Sequence, residues 1–357
     1  MSHLAGPLST VVTTIQSPTS CVNELVERLE SIDAKLFVVG DKIGPAGYET
    51  AAVKDNNVLN FLSFDAQLKL PYESARKLPS GHYARKNLGY LSAIEQGAGC
   101  IYETDDDNAP NEFWQPRTLR VAARTVEAKR WLNVYRVFSD EKIWPRGFPL
   151  EDLAHSWNDR QIADDAIRSF VDAPIQQGLA DLAPDVDAIW RLTMDKEVVF
   201  DRVDSVMLAP NTWCPFNSQS TWFWPVAYPL LYLPSYCSFR MTDIWRSFIA
   251  QRCIWELDTG IVFHASEVSQ DRNEHSYLDD FKKEIDGYLR NNELVERLEN
   301  ITLAKGSDNV ASNLRICYEE LVRADFFPAK ELDLVDAWLA DIASVSVSSQ
   351  VQQQQAA

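Results

Sequence analysis

Paired cysteines, glycine-rich loops and long apolar runs are absent from this sequence of 357 residues. The six cysteines are scattered and never occur in C-x-x-C spacing, which argues against a zinc site or a disulfide-stabilised fold. With only 13 glycines, no glycine-rich phosphate loop and no recognisable Ser-His-Asp context, the sequence does not favour a P-loop enzyme or a serine hydrolase.

Basic residues are also scarce. The chain has 34 Lys and Arg residues against 52 Asp and Glu residues, a formal net charge of -18, which opposes binding to nucleic acid or to anionic membranes. No segment approaches the ~18 apolar residues of a membrane-spanning helix, and the N-terminal segment lacks the basic and apolar regions of a signal peptide. We therefore expect a cytoplasmic protein with no transmembrane segment and no nucleic-acid partner.

Apolar residues make up 46% of the chain, which is enough for a sizeable core. In the N-terminal third, short β-branched runs alternate with amphipathic segments, a pattern that is typical of an α/β sheet with crossover helices. We predict strands over residues 11–15, 35–40 and 100–104, and helices over residues 21–32 and 83–96. The last of these strands leads directly into three aspartates.

Asp105, Asp106 and Asp107 thus stand where open α/β sheets bind their ligands, at the carboxyl end of a strand. Adjacent carboxylates repel one another, and a hard cation such as Mg²⁺ or Mn²⁺ removes that cost while it shares its remaining positions with water and phosphate oxygens. A metal that faces a diphosphate is the chemistry of a nucleotide-sugar enzyme. A solvated acidic turn is the alternative, and a second Asp-x-Asp, at Asp185 and Asp187, follows no apolar strand.

Four sequence motifs carry a resemblance to a known family. They are IYETDDDN around the aspartates, WPRGFPLE at residues 144–151, GLADLAPDVDAIWRLT at residues 178–193 and TDIWRSFIAQRCIWE at residues 242–256. In this order they resemble the glycosyltransferase-like domain of the plant STELLO proteins and their bacterial relatives. More distantly, they are similar to the reversibly glycosylated polypeptides, the UDP-arabinopyranose mutases. The resemblance covers roughly residues 11–289.

The resemblance implies a GT-A fold, an α/β architecture with a Rossmann-like nucleotide-binding mixed sheet, followed by a C-terminal helical extension. We expect the GT-A domain over residues 1–289, with a nucleotide-binding part at about 8–120 and an acceptor part at about 121–289. The helical extension then occupies residues 290–343, and a disordered tail follows at residues 344–357.

The function implied is that of a metal-dependent glycosyltransferase, which moves a sugar from a nucleoside diphosphate sugar, specifically a UDP-sugar, to an acceptor hydroxyl. The acceptor is a carbohydrate or glycoconjugate, the context is polysaccharide or glycoconjugate synthesis, and the cofactor is Mn²⁺ or Mg²⁺. A sugar-nucleotide mutase or self-glycosylating protein is one alternative. Another is a non-catalytic GT-A scaffold that organises a polysaccharide-synthesis complex, with the aromatic block at residues 213–236 as its interface. Core packing and stacking on an acceptor sugar are the other roles open to the tryptophans of this block. A homo-oligomer is compatible with each of these functions.

Site residues follow from the resemblance position by position. Asp105 and Asp107 match the outer acids of the metal-binding DXD motif, and His275 is preferred over His264 as a further metal ligand. Contacts to the nucleotide sugar are expected from Thr13, Thr14, Gln16, Asp41, Arg85, Lys86 and Asp106. For Arg85 and Lys86, a solvated helix start is the alternative to a diphosphate contact.

Two residues are expected to be catalytic. Asp243 matches the acidic position that faces the acceptor, where a carboxylate can deprotonate the attacking hydroxyl, and a helix cap is its alternative role. Arg146 resembles the arginine that becomes glycosylated in the mutases, and packing against Trp144 and Phe148 is the other interpretation.

Overall fold

The computed structural model describes residues 6–50, 58–158, 168–271 and 276–356, with side chains as far as residue 347. Within these residues, eleven strands form one mixed sheet that is flanked by helices. The expected α/β class, with a Rossmann-like mixed sheet and helices at the C-terminal end, is confirmed.

The strands are mostly short and buried. They are β1 (Leu8–Thr13), β2 (Lys35–Val39), β3 (Leu59–Leu62), β4 (Cys100–Thr104), β5 (Asn108–Pro110), β6 (Arg120–Val126), β7 (Arg168–Asp172), β8 (Ile175–Asp181), β9 (Val206–Leu208), β10 (Ser220–Phe223) and β11 (Val262–Gln270). The strand predicted over residues 100–104 has those same bounds, and the strands predicted near β1 and β2 are confirmed within a few residues.

The helices fall into short connectors and long packing elements. They are α1 (Ser20–Glu30), α2 (Phe64–Gln67), α3 (Glu73–Lys77), α4 (Lys86–Glu95), α5 (Val134–Val137), α6 (Leu153–Ser156), α7 (Ala188–Thr193), α8 (Thr242–Ile254), α9 (Tyr277–Glu299), α10 (Val310–Arg323) and α11 (Lys330–Ala356). Turns of 3₁₀ helix occupy Tyr83–Arg85, Leu150–Asp152, Pro225–Leu231, Phe239–Met241, Trp255–Leu257 and Ser307–Asn309. In the part of the chain that the structure describes, no helix combines the length and the apolar character needed to cross a membrane.

The order of the strands brings several carboxyl ends to one edge of the sheet. β3, β2, β1 and β4 are parallel neighbours, and the antiparallel β10 joins β4 to β8, which pairs in parallel with β11. β9, β6 and β7 continue the sheet, and β5 pairs with the last residues of β11. Consequently β1, β4, β8 and β11 run in the same direction, and the residues that follow them share an edge.

Helix α4 approaches the sheet closely because it carries a glycine at the contact. A Cβ atom at Gly89 would lie 2.6 Å from Cγ1 of Val11 and 2.6 Å from Cγ2 of Val39, closer than carbon atoms can approach. Only glycine therefore allows α4 to lie directly on β1 and β2. This contact fixes the start of the helix, and with it Lys86, next to the end of β4.

The aromatic block at residues 213–236 is part of the core. Trp213, Trp222 and Trp224 are 0%, 0% and 3% exposed. The indole N–H of Trp213 donates to Glu299 at 2.8 Å and that of Trp222 donates to Glu267 at 2.7 Å, so burial leaves both polar groups satisfied. This burial confirms core packing as the role of the three tryptophans, and it contradicts the alternative in which they form an exposed interface.

The C-terminal helices are continuous with the sheet domain. Asp341 of α11 accepts the backbone N–H groups of Glu73 and Ser74 at 2.7 and 2.8 Å, which satisfies the exposed donors at the start of α3. Trp338 packs in the same apolar core as β1 and α4, and its indole N–H donates to the carbonyl oxygen of Pro229 at 2.9 Å.

The limits expected for this extension differ from the observed elements. Helix α9 runs without interruption through residue 289, where the end of the GT-A domain was placed. Helix α11 continues to Ala356, although a disordered tail was predicted from residue 344. The Ser- and Gln-rich composition suggested disorder, but these residues extend a helix whose earlier turns are held by core contacts, and helix propagation costs less than nucleation.

Candidate functional site

The first aspartate after β4 lies against a buried lysine. Lys86 is fully buried, and its ammonium group donates to Asp105 Oδ1 at 3.1 Å and to the carbonyl oxygen of Thr104 at 2.7 Å. Its third hydrogen bond goes to the hydroxyl of Tyr83 at 3.4 Å. The positive charge of Lys86 is thus placed directly behind the acidic trio, and all three of its donors are used.

The second aspartate is held by the connection between β1 and α1. The hydroxyl of Thr14 donates to Asp106 Oδ2 at 2.5 Å, and that of Thr19 donates to the Asp106 carbonyl oxygen at 2.5 Å. Thr19 also caps α1, because its hydroxyl accepts the N–H of Val22 at 3.1 Å. Among the contact residues expected at the end of β1, Thr14 therefore binds the trio directly.

The other two residues expected at the end of β1 make local contacts. The Thr13 hydroxyl donates to the carbonyl oxygen of Val39 at 3.1 Å, which ties β1 to β2. The backbone N–H of Gln16 donates to the Thr14 hydroxyl at 3.0 Å, and the Gln16 side chain is exposed.

The third aspartate is held from the end of β11. Gln270 donates its side-chain amide to Asp107 Oδ2 at 2.9 Å, and Asn108 donates to Asp107 Oδ1 at 3.1 Å. The N–H of Asp271 also donates to the Asp107 carbonyl oxygen at 3.0 Å. Strands β4 and β11 thus fix the trio between them.

All three carboxyl groups hold protons more tightly than an exposed aspartate does. Burial raises the pKa of Asp105 to about 6, although Lys86 opposes the shift. Burial and then the negative charge of Asp105 raise the pKa of Asp107 to about 7. Burial likewise raises the pKa of Asp106. Without a compensating cation, the folded chain therefore disfavours a fully ionised trio.

A stability change with pH follows from these shifts. Because the pKa values of Asp105 and Asp107 lie above their unfolded values, the folded state binds these protons more tightly, and acidification from about pH 7 to about pH 4 stabilises it. Over this range, we expect the free energy of unfolding of the wild-type chain to rise by about 2 kcal/mol more than that of the Asp105→Asn/Asp107→Asn variant, allowing for the solvent that reaches Asp105.

The measurement is urea denaturation in EDTA at several pH values, with and without the double substitution. Asp187 titrates in the same range, since burial raises its pKa to about 7, but it is present in both proteins and cancels in the difference. Parallel stability profiles for the two proteins would contradict the assignment of the shift to the trio.

A polar cleft of about 80 Å³ opens beside Asp105. Loops, a 3₁₀ turn, the start of α8 and the end of β11 border it together with Asp105, through Arg146, Pro184, Asp185, Val186, Gln219, Arg240, Asp243 and Gln270. The cleft therefore joins the end of β4 to both residues that the resemblance marked as catalytic.

Arg146 is clamped between two of the acids in this cleft. Its Nε and Nη2 donate to the two oxygens of Asp185 at 2.8 and 2.7 Å, and its Nη1 and Nη2 donate to the two oxygens of Asp243 at 3.0 and 2.9 Å. A second hydrogen of Nη1 goes to the carbonyl oxygen of Arg240. All five donors of the guanidinium are thus used, in two bidentate pairs and one backbone contact.

The clamp fixes the charge state of both catalytic candidates. Although burial alone would lower it, the pKa of Arg146 is raised well above its ordinary value by Asp185 and Asp243. Although burial alone would raise it, the pKa of Asp243 is lowered, chiefly by Arg146. Arg146 is therefore a permanent cation and Asp243 a weakly basic anion.

Two expected nucleotide contacts hold protein segments instead of facing the cleft. The Asp41 carboxylate accepts the backbone N–H groups of Gly81 and His82 at 2.9 and 3.0 Å. Arg85 is buried, and it donates to Gln67 at 2.6 Å and to the carbonyl oxygen of Leu78 at 3.1 Å. Both residues therefore shape the turn before α4, and neither borders the cleft beside Asp105.

Of the two histidines considered as metal ligands, the structure describes one. His264 is buried within β11, where its ring nitrogens contact Ser205 at 2.7 Å and Gln176 at 2.9 Å, and burial lowers its pKa well below the ordinary value. Its position is structural. His275, the preferred metal ligand, lies outside the described residues. Among the residues that are described, no group of three or more His, Cys, Asp or Glu side chains is arranged to hold a metal ion.

Sequence reasoning missed several residues of the cleft. Asp185 belongs to the second Asp-x-Asp, for which the sequence predicted no preceding strand, but it lies four residues beyond the end of β8 and pairs with Arg146. Its neighbour Asp187 caps α7 and accepts the indole N–H of Trp144 at 2.6 Å. Gln219, Arg240 and Gln270 occur in no motif, and the sequence contains no signal for them.

The carboxylates after β4 suit a hard divalent cation that leaves some of its coordination positions to water or phosphate. Asp105 and Asp107 supply carboxylate oxygens from one short segment, and the raised pKa values of both carboxyls show the cost of ionising them without a cation. Mg²⁺ and Mn²⁺ suit a site with one or two carboxylates whose other positions are taken by water or phosphate. Such a cation would lie at the mouth of the cleft that holds Asp243.

Comparisons with known proteins place these features in a family context. The family model for STELLO glycosyltransferases matches residues 240–354, which include α8 and the C-terminal helices. The chain is 28% identical over 309 residues to "Probable glycosyltransferase STELLO1" from Arabidopsis thaliana and 28% identical over 316 residues to "Probable glycosyltransferase STELLO2" from the same plant. Each alignment covers 80% of this chain and 39% of the relative, so the chain spans about two fifths of their length.

One solved structure is similar in overall arrangement. It is glucosyl-3-phosphoglycerate synthase from Mycobacterium tuberculosis, in complex with Mn²⁺, UDP-glucose and phosphoglyceric acid. The identity is 9% and the TM-score is 0.37, over 83% of this chain and 79% of that chain, a similarity too low to support any argument about the site. The family model, the two plant relatives and the four motifs show that the chain resembles the STELLO glycosyltransferases.

Proposed function

We propose that the protein is a metal-dependent glycosyltransferase, which transfers a sugar from a nucleoside diphosphate sugar, specifically a UDP-sugar, to a hydroxyl of a carbohydrate or glycoconjugate. Such a reaction belongs to polysaccharide or glycoconjugate synthesis. One observation carries the proposal: Asp105, the first residue of the acidic trio after β4, borders a polar cleft together with Asp243. The similarity to proteins named as probable glycosyltransferases supports it.

In this proposal, Asp105 and Asp107 hold Mn²⁺ or Mg²⁺, and His275 is a further candidate ligand. The cation supplies charge neutralisation for the diphosphate as it leaves the sugar. Lys86 contributes a second positive charge, 3.1 Å from Asp105, which lowers the cost of gathering carboxylates and phosphates in one place. Asp106 works through Thr14 and Thr19, which hold the trio against α1.

Asp243 is proposed to bind a sugar hydroxyl rather than to remove its proton. A general base is most effective when its pKa is near the working pH, and Arg146 lowers the pKa of Asp243 instead. The carboxylate remains a strong hydrogen-bond acceptor, held in a fixed orientation by two hydrogen bonds from Arg146. Arg146 then acts as a positioning residue for Asp243.

The nucleoside is proposed to bind near the ends of β1 and β2, where Thr13, Thr14 and Gln16 lie close to the trio. Asp41 and Arg85 support this region indirectly, because they hold the turn that precedes α4. No observation favours a mutase or self-glycosylating protein, since a cationic Arg146 with five occupied donors has no lone pair with which to attack a sugar.

The proposal predicts that a uridine nucleotide and the metal bind together. With UDP and Mn²⁺ both present at about 100 times their dissociation constants, the free energy of unfolding should rise by about 2.7 kcal/mol, and either component alone should do much less. A thermal-shift series with UDP, GDP and ADP, each with Mn²⁺ or EDTA, measures this. Absence of a metal-dependent shift with every nucleotide would contradict the proposal, as would failure to release UDP from any UDP-sugar in the presence of carbohydrate acceptors.

A further inference from the structure

We infer that the cleft beside Asp105 is a subsite for an uncharged sugar ring, and that its residues select neutral donor sugars over donor sugars that carry a carboxylate. The inference rests on the proposed function, because it names the class of sugar that the nucleotide delivers. Three observations carry it: the size and polarity of the cleft, the pairing of its arginines with carboxylates, and a side-chain amide on its wall that donates to no protein acceptor.

The cleft is small and polar. Its volume is about 80 Å³. Because one ordered water requires about 15 Å³, the cleft has room for roughly five waters. Three carboxylates, those of Asp105, Asp185 and Asp243, border it together with the amides of Gln219 and Gln270. A sugar ring replaces such waters with hydroxyl groups, which reproduce their hydrogen bonds in a fixed arrangement.

The positive charges around the cleft are already compensated. Arg146 donates all five of its N–H groups to Asp185, Asp243 and a carbonyl oxygen. The guanidinium of Arg240 lies 2.8 Å from Glu284 and 3.9 Å from Asp280. A carboxylate on the sugar would therefore approach two anionic side chains without gaining the full charge of an arginine, which is an energetic cost.

Gln219 supplies the unpartnered polar group. The residue is 6% exposed, and its side-chain oxygen accepts only a long hydrogen bond, at 3.5 Å, from Asn217. Within the described part of the chain, the two N–H groups of its side-chain amide have no protein acceptor. These donors reach solvent at the cleft, so an oxygen of a ligand can accept from them in place of water.

A hydroxyl group matches this combination, and a carboxylate does not. A hydroxyl accepts one hydrogen bond and donates another, so it can accept from Gln219 while it donates to Asp185 or Asp243. An ionised carboxylate only accepts, so it can accept from Gln219 but adds no hydrogen bond to those that the two aspartates receive from Arg146, and it faces their negative charge. The chemistry of the wall therefore favours sugars whose ring substituents are all hydroxyls.

The test is calorimetric titration of the full chain in Mn²⁺ with UDP and with two matched pairs of UDP-sugars. UDP-glucose and UDP-galactose are compared with UDP-glucuronate and UDP-galacturonate, which differ from them only in a carboxylate at C6. We expect the neutral member of at least one pair to bind tenfold or more tightly than its acid, and neither acid to bind more tightly than its neutral partner. Equal affinities within both pairs, or preference for an acid, overturn the selectivity while leaving the proposed function in place.

UDP without a sugar separates the two hypotheses. If UDP fails to bind in Mn²⁺, the proposed function is wrong and the sugar subsite is wrong with it. A second outcome separates the subsite from the function. If UDP binds, if attaching either neutral sugar changes that affinity by no more than twofold, and if each acid binds as tightly as its neutral partner, only the subsite is wrong.

The Gln219→Glu variant tests the wall directly, with Gln96→Glu as its control, since Gln96 is exposed at the end of α4 and undergoes the same chemical change. We expect Gln219→Glu to weaken binding of the preferred neutral UDP-sugar fivefold or more, to change UDP binding less than twofold, and to unfold within a few degrees of wild type. Unchanged sugar affinity in that folded variant overturns the role of Gln219. If the variant does not fold, the wild-type titrations still decide the selectivity.

Discussion

Replacing Arg246 by leucine is expected to lower the free energy of unfolding by about 3–5 kcal/mol, because it leaves a buried carboxylate without its cation. Arg246 and Glu103 are 1% and 0% exposed, and they form two hydrogen bonds, of 2.6 and 3.1 Å. Tyr90 also donates to Glu103, but a phenol does not neutralise the charge. The guanidinium lies 5.4 Å from the centres of two phenylalanine rings, so the pair has apolar surroundings in which an uncompensated charge is costly.

Urea denaturation of three proteins measures this effect. The Glu103→Leu/Arg246→Leu variant removes both charges, so it should recover part of the stability that Arg246→Leu loses. The control, Arg323→Leu, breaks an exposed ion pair with Glu320 and should cost less than about 1 kcal/mol. If Arg246→Leu is no more destabilising than Arg323→Leu, the buried pair does not have the importance assigned to it.

Replacing Asp105 and Asp107 together by asparagine is expected to weaken Mn²⁺-dependent binding of UDP by at least about 100-fold. Loss of a residue that only orients a metal ligand typically costs 10–100-fold in affinity, so loss of two charged ligands should cost more. Asparagine keeps the size of the side chain but carries no negative charge, and at position 107 its single oxygen can accept from only one of Gln270 and Asn108. The substitutions remove the repulsion within the trio and also the anion that pairs with the buried Lys86, so urea denaturation of the metal-free variant is measured alongside its affinity.

Calorimetry with UDP in Mn²⁺ and in EDTA measures this difference. The control is Asp258→Asn/Asp308→Asn, which changes the net charge by the same amount at two exposed positions away from the cleft. Similar loss of affinity in both double variants would show that overall charge, and not the trio, determines binding. Retention of metal-dependent binding in the Asp105 and Asp107 variant would show that the metal lies elsewhere.

The sequence predicts the part of the fold that depends on local signals. Strand β4 has the predicted bounds because a short apolar run bounded by a glycine-containing turn and three acids is recognisable without tertiary information. Likewise, the helix predicted over residues 83–96 is observed as a 3₁₀ turn followed by α4. The acidic trio could be singled out for the same reason, by its position after a strand.

The cleft could not be predicted, because its contacts join distant parts of the chain. Arg146 pairs with acids that are 39 and 97 residues further along, and only one of these two was suspected. The two Asp-x-Asp motifs look alike in sequence, and only the folded chain shows that Asp185 reaches the cleft while Asp187 caps a helix. The sequence could not decide whether the tryptophans of the aromatic block are buried for a similar reason, since the acids that bind their indole groups are remote in sequence.

The hydrogen bonds between Asp341 and the start of α3 span 268 residues, and they have a consequence for synthesis on the ribosome. Strands β1 to β4 precede α11 in the chain, and α11 packs against α3 and α4, so this half of the sheet cannot reach its final packing until α11 has been synthesised. Until residue 341 has left the exit tunnel, α11 does not cover the apolar side chains of α4. Nascent chains should therefore depend on chaperones until that point, and a premature stop codon shortly before residue 341 should yield an aggregating product.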